Sequence, residues 1–291
     1  MPFVDAKGIQ LHYVEHGQGD HVVLYVHGNL GCVDWMNLVW PHLPKDLRVI
    51  AIDWRGCGLS DKPALEAAYA NYSMPQHAED MIHALDALGI GSCGLCGHST
   101  GGIIALYMLD KQPARFTRFL GLDPIGPMGI ALAEDKVALF SQMKADREFT
   151  FRVLATAAAS LFDVATLGTE RPAFAPGTSD EQKALYEHLV DMTRLLSDGI
   201  WFGTPHNLAH EHEDGMLRAR QKQIAHPTKI LWGELDFWIP REHMEEMAEQ
   251  MPNCSLEIIP GVGHSMNVEQ PAEFARRFTA FFQPANGGSS V

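Results

Sequence analysis

The sequence predicts an α/β fold, namely a doubly wound and mostly parallel sheet with a helical region inserted into it. Three observations predict this class. Short, continuous apolar runs suit strands that are buried on both faces of a parallel sheet. Amphipathic helical stretches alternate with these runs, as they do in doubly wound sheets. The strand pattern then stops over residues 128–221, where the pattern is helical.

The first half of the chain supplies the early strands in order. Two extended segments, Phe3–Asp5 and Ile9–His16, flank a turn-prone stretch and predict a leading hairpin. Met74–Leu88 has one apolar face, and Ser73 and Gln76 at its start have the spacing of a capping box, so we expect a helix here. The buried strands are predicted at Val22–Val26, Leu47–Asp53, Ser92–Gly97 and Phe119–Asp123.

The second half returns to the sheet after the helical region. Within that region, Ser179 and Gln182 have the spacing of a capping box before a second amphipathic helix. Strands resume at Thr228 and at Cys254, and EFARRFTAFF predicts a closing helix. We therefore predict a core of residues 1–127 and 222–291 and a helical cap of residues 128–221. The Gly/Ser-rich end of the chain is predicted to be disordered.

Charge and hydropathy narrow the range of partners. The 291 residues include 36 acidic and 22 basic side chains, which gives a net charge of −14 without any block rich in Lys or Arg. This balance predicts that the protein binds neither nucleic acid nor a polyanion. No apolar run is long enough to span a bilayer, and the start MPFVDAKGIQ lacks the layout of a signal peptide. We therefore expect a cytoplasmic protein that does not act at a membrane.

The five cysteines predict free thiols, because an odd number in a chain without a secretion signal does not suggest a disulfide framework. Cys93 and Cys96 have the spacing of a redox motif. They fall in a predicted strand, however, where residues three apart point to opposite faces. We interpret them as buried structural residues.

A serine between glycines is the first candidate for chemistry. Gly97-His98-Ser99-Thr100-Gly101 matches the Gly-x-Ser-x-Gly pattern, in which a strand turns sharply into a helix and leaves one side chain exposed at the bend. Ser99 is thus a candidate nucleophile. His98 is expected to point away from it into the packing.

A serine hydroxyl needs a base to accept its proton and an acid to orient that base. His264 lies in the glycine-rich loop GVGHSMN after a predicted strand, and it is the predicted base. Asp236 follows another strand on the side of the sheet where parallel α/β folds collect catalytic groups, and it is the preferred acid. Asp123 also follows a strand between the serine and the histidine, so it remains an alternative. Glu234 is a third choice.

Acyl transfer also needs two N–H donors for the oxyanion of its tetrahedral intermediate. The amide of Thr100 at the start of the helix is one candidate. The segment HGNLG follows a predicted strand, and its glycines would let the backbone approach a substrate. The amide of Asn29 is therefore the predicted second donor, with Leu30 as the alternative. We expect the side chains of Leu30, Trp201 and Trp238 to contact the substrate.

A cluster of histidines raises the question of a metal. His206 and His210 have the helical spacing of a metal-binding pair, and His212, Glu213 and Asp214 follow closely. The cluster lacks the glutamate of the His-Glu-x-x-His pattern. We interpret it as a solvated face of the cap and predict that the protein uses no metal and no cofactor.

These motifs together resemble the α/β-hydrolase family, in the branch that carries a helical cap. The resemblance covers nearly the whole chain, because five motifs occur in the family's order: HGNLG, DWRGCGLSD, GHSTGG, GELDFWIP and GVGHSMN. It implies a hydrolase without a cofactor whose triad is Ser99, Asp236 and His264. Haloalkane dehalogenases and epoxide hydrolases of this family use an aspartate at the nucleophile position, and Ser99 argues against both.

The sequence therefore predicts a serine hydrolase that cleaves a carboxylic ester or lactone through an acyl-enzyme. A cap rich in Ala, Leu, Met and Phe suggests a small to medium substrate with an apolar part. C–C bond hydrolysis, acyl transfer to an alcohol and perhydrolysis use similar residues, so they remain alternatives. A small-molecule receptor on the same scaffold is the alternative from another class of protein.

Overall fold

Eight strands form one sheet in the computed structural model, which describes residues 1–131 and 134–283. The strands are β1 (Phe3–Asp5), β2 (Gln10–His16), β3 (His21–Val26), β4 (Leu47–Ile52), β5 (Cys93–His98), β6 (Phe116–Leu122), β7 (Thr228–Gly233) and β8 (Cys254–Ile259). Their order in the sheet is β1-β2-β4-β3-β5-β6-β7-β8. The first two strands pair antiparallel, and β2 is antiparallel to β4. All other pairs are parallel, which confirms the predicted fold class.

The helices follow the predicted alternation. Within the described ranges they are α1 (Met74–Ala87), α2 (Thr100–Lys111), α3 (Glu134–Ala145), α4 (Arg147–Ala155), α5 (Asp180–Met192), α6 (Thr204–Asp214), α7 (Met216–Arg220), α8 (Arg241–Gln250), α9 (Met266–Glu269) and α10 (Pro271–Phe282). Helices α3 to α7 lie between β6 and β7, inside the stretch predicted as the cap. The Gly/Ser-rich tail, predicted to be disordered, lies outside the described residues. No helix in the described part of the chain has the length and apolar character that crossing a membrane requires.

The central strands are buried on both faces, as their continuous apolar runs predict. In β3, Leu24 and Val26 pack in one hydrophobic cluster, whereas Val23 and Tyr25 pack in a second cluster across the sheet. Cys93 and Cys96 of β5 divide between the same two clusters, which confirms that they point to opposite faces. All five cysteines are free, and burial raises the pKa of the Cys93 thiol to about 12. Cys93 and Cys96 are therefore packing residues.

Close packing of α2 against the sheet makes Gly101 irreplaceable. A Cβ atom at this position would lie 2.0 Å from the carbonyl oxygen of Val26, in the backbone of β3. Since backbone on both sides would have to move, we expect Gly101→Ala to lower the free energy of unfolding by about 3 kcal/mol. Urea unfolding followed by circular dichroism measures this change.

Gly91→Ala is the matched control for that substitution. A Cβ atom at Gly91 would meet no heavy atom within 4 Å, so its free energy of unfolding should stay within about 0.5 kcal/mol of the wild type. Equal unfolding midpoints for the two variants would show that α2 does not pack against β3 as closely as the structure has it.

Candidate active site

Ser99 occupies the sharp turn between β5 and α2. Its backbone has φ 52° and ψ −124°, a left-handed conformation that costs a residue with a Cβ atom about 1–3 kcal/mol. Neighbouring backbone holds this turn: the Ser99 amide donates to the carbonyl of Leu122 at 3.0 Å, and its carbonyl accepts from the amides of Gly102 and Ile125 at 2.8 Å. The surrounding fold thus fixes the serine in a strained conformation, and Ser99 lines an apolar cavity.

His264 and Asp236 form a buried pair beside this cavity. Nδ1 of His264 lies 2.8 Å from Oδ2 of Asp236, and the two residues are only 5% and 8% exposed. The other carboxylate oxygen of Asp236 accepts from the amides of Trp238 at 2.7 Å and Ile239 at 3.2 Å. The bond between His264 and Asp236 keeps the proton of the imidazole on Nδ1 and leaves Nε2 free to accept a reacting proton.

The structure pairs His264 with the preferred acid rather than with either alternative. Asp123 is fully buried after β6, and its Oδ1 accepts from the amide of Gly233 at 2.7 Å. Burial and the neighbouring charge of Asp236 raise the pKa of the Asp123 carboxyl well above its usual value. Glu234 is exposed, and its carboxylate accepts from the amide of Gly261 at 3.0 Å. Neither carboxyl group is hydrogen-bonded to His264 in the described part of the chain.

Ser99 and His264 line the same cavity, together with His98 and Trp238. Within residues 1–131 and 134–283, no hydrogen bond joins the serine hydroxyl to the histidine, and such bonds often form only once substrate is bound. Nε2 of His98 donates to the backbone carbonyl of His264 at 2.9 Å. The sequence led us to expect that His98 only fills space in the packing. In the structure it also supports the loop that carries His264.

The segment HGNLG packs directly against the serine turn. A Cβ atom at Gly28 would lie 2.8 Å from Cβ of Ser99, so glycine is needed for this approach. Asn29, Leu30 and Thr100 all line the cavity, and among the described residues the amides of all three have no hydrogen-bond acceptor. An oxyanion requires free N–H donors beside the serine, and Thr100 with either Asn29 or Leu30 can supply them.

A buried network that sequence analysis did not identify supports this segment. Asp53, at the end of β4, accepts from the amide of Val33 at 2.7 Å and from Nδ1 of His12 at 2.8 Å. His27 receives a hydrogen bond from the Trp54 indole at 2.8 Å, and burial lowers the pKa of His27 to about 4. A neutral His27 that accepts this bond braces the loop.

The cavity has a volume of about 660 Å³ and is walled mainly by aliphatic and aromatic side chains. Among residues 1–131 and 137–283, whose side chains the structure describes, no Lys, Arg, Asp or Glu lines it. Leu30 and Trp238, which are predicted to contact the substrate, both line it. The prediction for Trp201 is wrong: its side chain is 2% exposed and lies beside a smaller cavity within the cap, with Lys144 and Arg147. Trp201 stabilises the packing of the cap and does not face the serine.

The histidine cluster on α6 does not form a compact metal site. His206, His210 and His212 carry exposed or partly exposed side chains, in keeping with the solvated face that was predicted. In the described part of the chain, the single set of three ligand atoms within 4.8 Å of one another comes from Asp123, Asp236 and His264. Since hydrogen bonds already join Asp236 to His264 and to two amides, this set has a structural explanation without an ion.

The sheet order and the serine at the turn from β5 to α2 define the class of hydrolases built on an α/β sheet. A model of the α/β-hydrolase fold matches residues 21–271, and the chain belongs to this family. The resemblance inferred from the five motifs is thereby confirmed.

Several proteins that are similar to this chain are hydrolases of different kinds. The 2-hydroxymuconate semialdehyde hydrolase of Pseudomonas sp. (strain CF600) is 27% identical and aligns over 98% of this chain and 94% of its own length. The structure of Est816, an N-acyl homoserine lactone degrading enzyme, is 25% identical, with a TM-score of 0.69 over 96% of this chain and 100% of its own. An esterase from Exiguobacterium antarcticum shares the fold, with 22% identity and a TM-score of 0.73 over 96% and 98% of the two chains.

Proposed function

We propose that this protein is a serine hydrolase that cleaves a carboxylic ester or lactone of a neutral, small to medium apolar substrate. The observation that carries the proposal is one apolar cavity that Ser99 and His264 both line, with His264 hydrogen-bonded to the buried Asp236. Each of the three residues has a distinct task in acyl transfer, and within residues 1–131 and 137–283 no Lys, Arg, Asp or Glu lines the cavity.

The reaction follows from the positions of these groups. Nε2 of His264 accepts the proton of the Ser99 hydroxyl as the oxygen attacks the acyl carbon, and the bond to Asp236 keeps Nδ1 protonated. The amides of Asn29 and Thr100 stabilise the oxyanion, and each such donor contributes about 10²–10³ in rate. His264 then passes the proton to the leaving alcohol, and water attacks the acyl-enzyme to release the acid.

The wall of the cavity supports a neutral substrate. Burying an unpaired carboxylate in an apolar site is very costly, because its hydration is lost without a compensating charge. Est816, which degrades N-acyl homoserine lactones, and the Exiguobacterium antarcticum esterase support an ester or lactone as the bond. The likeness to 2-hydroxymuconate semialdehyde hydrolase favours C–C bond hydrolysis as the second candidate, but a muconate carries a carboxylate, and no Lys or Arg of residues 1–131 and 137–283 lines the cavity to pair with it.

A matched pair of esters tests the charge argument. The neutral p-nitrophenyl pentanoate and the anionic p-nitrophenyl hydrogen succinate have similar lengths, and we expect kcat/KM to be at least about 100-fold higher for the neutral ester because the anion must be desolvated. p-Nitrophenyl esters from acetyl to dodecanoyl and a set of N-acyl homoserine lactones then measure the length that the cavity accepts. Equal or better turnover of the anionic ester, or turnover of dienoates alone, would contradict the proposal.

A further inference from the structure

One short segment of the cap contacts the loop of His264 at two separate places. This segment, Thr156–Leu161, directly follows α4 and forms a short 3-10 turn with a kink at Ala158. Its middle residues are buried, and Thr156 and Ala157 also line the cavity. We call Thr156–Leu161 the clamp segment, because each of its two hydroxyl-bearing residues is linked to a different side of the histidine.

The first link runs through Trp238. The indole N–H of Trp238 donates to Oγ1 of Thr156 at 2.9 Å, while that hydroxyl donates to the carbonyl of Val153 at 2.7 Å. Trp238 also stacks on the ring of His264, with 6.2 Å between ring centroids and 23° between planes. Its amide donates to Asp236 at 2.7 Å. Thr156 therefore anchors the side chain that covers the imidazole.

The second link runs through Glu269, which is only 6% exposed. Its carboxylate accepts from the amides on both sides of His264, namely Gly263 at 2.8 Å and Ser265 at 2.9 Å. The same carboxylate accepts from the amide of Ser160 at 2.9 Å and from the Ser160 hydroxyl. Burial raises the pKa of Glu269. Because water does not solvate this carboxylate, each of these donors contributes to stabilising it.

The loop and the clamp segment also touch directly. A Cβ atom at Gly263 would lie 2.9 Å from the backbone nitrogen of Ala159 and 3.0 Å from both carboxylate oxygens of Glu269. Since the backbones of the cap and of the histidine loop are in contact here, a shift of one displaces the other.

We propose that the clamp segment holds the imidazole of His264 in its reactive position, with Thr156 and Ser160 as positioning residues, and so couples the wall of the substrate cavity to the base. The inference rests on the function proposed above. A substrate that packs against Thr156 and Ala157 presses on the same backbone that fixes the histidine. Fit in the cavity and alignment of the base therefore change together.

Four variants and two controls test this coupling. Thr156→Val and Ser160→Ala remove one hydroxyl each, whereas Thr156→Ser and Ser160→Thr retain it. Because a displacement of about 1 Å can cost about 100-fold in rate, we expect kcat to fall about tenfold in the first two variants, with KM within about twofold, and to recover in the other two. The controls Thr193→Val and Ser141→Ala lose cap hydroxyls that donate to the carbonyls of Val190 and Val137, away from the histidine loop, and both should keep the wild-type kcat.

A second measurement does not depend on turnover. The proton on Nδ1 of His264, hydrogen-bonded to Asp236, gives a downfield proton NMR signal that broadens when the ring is loosely held and exchanges with water. We expect broadening in Thr156→Val and Ser160→Ala and a sharp signal in the controls, with unfolding midpoints measured alongside. Sharp signals and kcat within twofold in both variants would overturn the coupling, as would an increase in KM alone. If Ser99→Ala keeps full activity, the proposed function fails independently, and the NMR signal still decides the coupling.

Discussion

Replacing Ser99 with alanine is expected to lower kcat for the preferred ester by about 10⁴-fold or more, because the loss of the nucleophile removes the acyl-enzyme route. The cavity wall and the pair of His264 and Asp236 do not depend on the serine hydroxyl, so substrate binding and the unfolding midpoint should change little. Steady-state kinetics of both purified proteins on the same ester gives the ratio. Mass spectrometry of the wild type with a slowly turned-over ester should show a covalent acyl adduct that the variant lacks.

Ser92→Ala is the matched control for this prediction. Ser92 is an exposed serine just before β5, at the opposite end of the strand that leads to Ser99, and its removal should leave kcat unchanged. Hydrolysis by Ser99→Ala at the wild-type rate, or an adduct on that variant, would show that another residue is the nucleophile.

The serine turn was predictable because its determinants are local. Gly97, Ser99 and Gly101 lie within five residues, and each glycine is required by atoms close to it in space: a Cβ atom at Gly97 would lie 2.5 Å from the carbonyl oxygen of Gly101. The parallel strands were predictable for a similar reason, since burial on both faces leaves a continuous apolar run in the sequence. In both cases the contacts that determine the local structure also leave a recognisable pattern in the sequence.

The acid and the cavity wall depend on contacts between distant parts of the chain. Asp123 and Asp236 both follow strands, so the sequence alone could not decide between them, whereas the side-chain bond to His264 distinguishes them in the structure. Trp201 was placed in the cavity because aromatic residues are common there. A helical pattern does not say which neighbour a buried ring meets, and Trp201 packs within the cap.

Capping shows how tertiary contacts override a local pattern. The capping box at Ser179 forms as predicted, with both reciprocal hydrogen bonds present. The box predicted at Ser73 is wrong, because the side chain of Gln76 instead donates to Asp80, which is paired with Arg55. Glu269 escaped notice in the sequence for a related reason. Nothing near it in the chain indicates that a carboxylate there joins the cap to the histidine loop.

Asp236→Asn is expected to lower kcat by about 10⁴-fold, which is the second large effect. Asparagine can present its amide N–H₂ to Nδ1 of His264, and the ring then carries its proton on Nε2, where it cannot accept the proton of Ser99. The amides of Trp238 and Ile239 still find an acceptor in the remaining oxygen, so the fold should be retained. The pH profile of kcat/KM shows whether His264 still acts as a base, and the unfolding midpoint shows whether the fold is retained.

Asp123→Asn is the matched control, since it changes the neighbouring carboxyl group in the same way. Burial and Asp236 raise the pKa of Asp123, so the folded protein keeps a proton that the unfolded chain releases above its ordinary pKa of 3.8. Stability contributed by this proton is therefore present at low pH and is lost as pH rises through the raised pKa. Asparagine removes the titration, so Asp123→Asn should gain stability relative to the wild type at pH 7 compared with pH 4. We expect less than about a tenfold loss of kcat, because His264 is hydrogen-bonded to Asp236 and, among the described residues, not to Asp123. If Asp123→Asn instead lost about 10⁴-fold while Asp236→Asn stayed active, Asp123 would be the acid that orients His264.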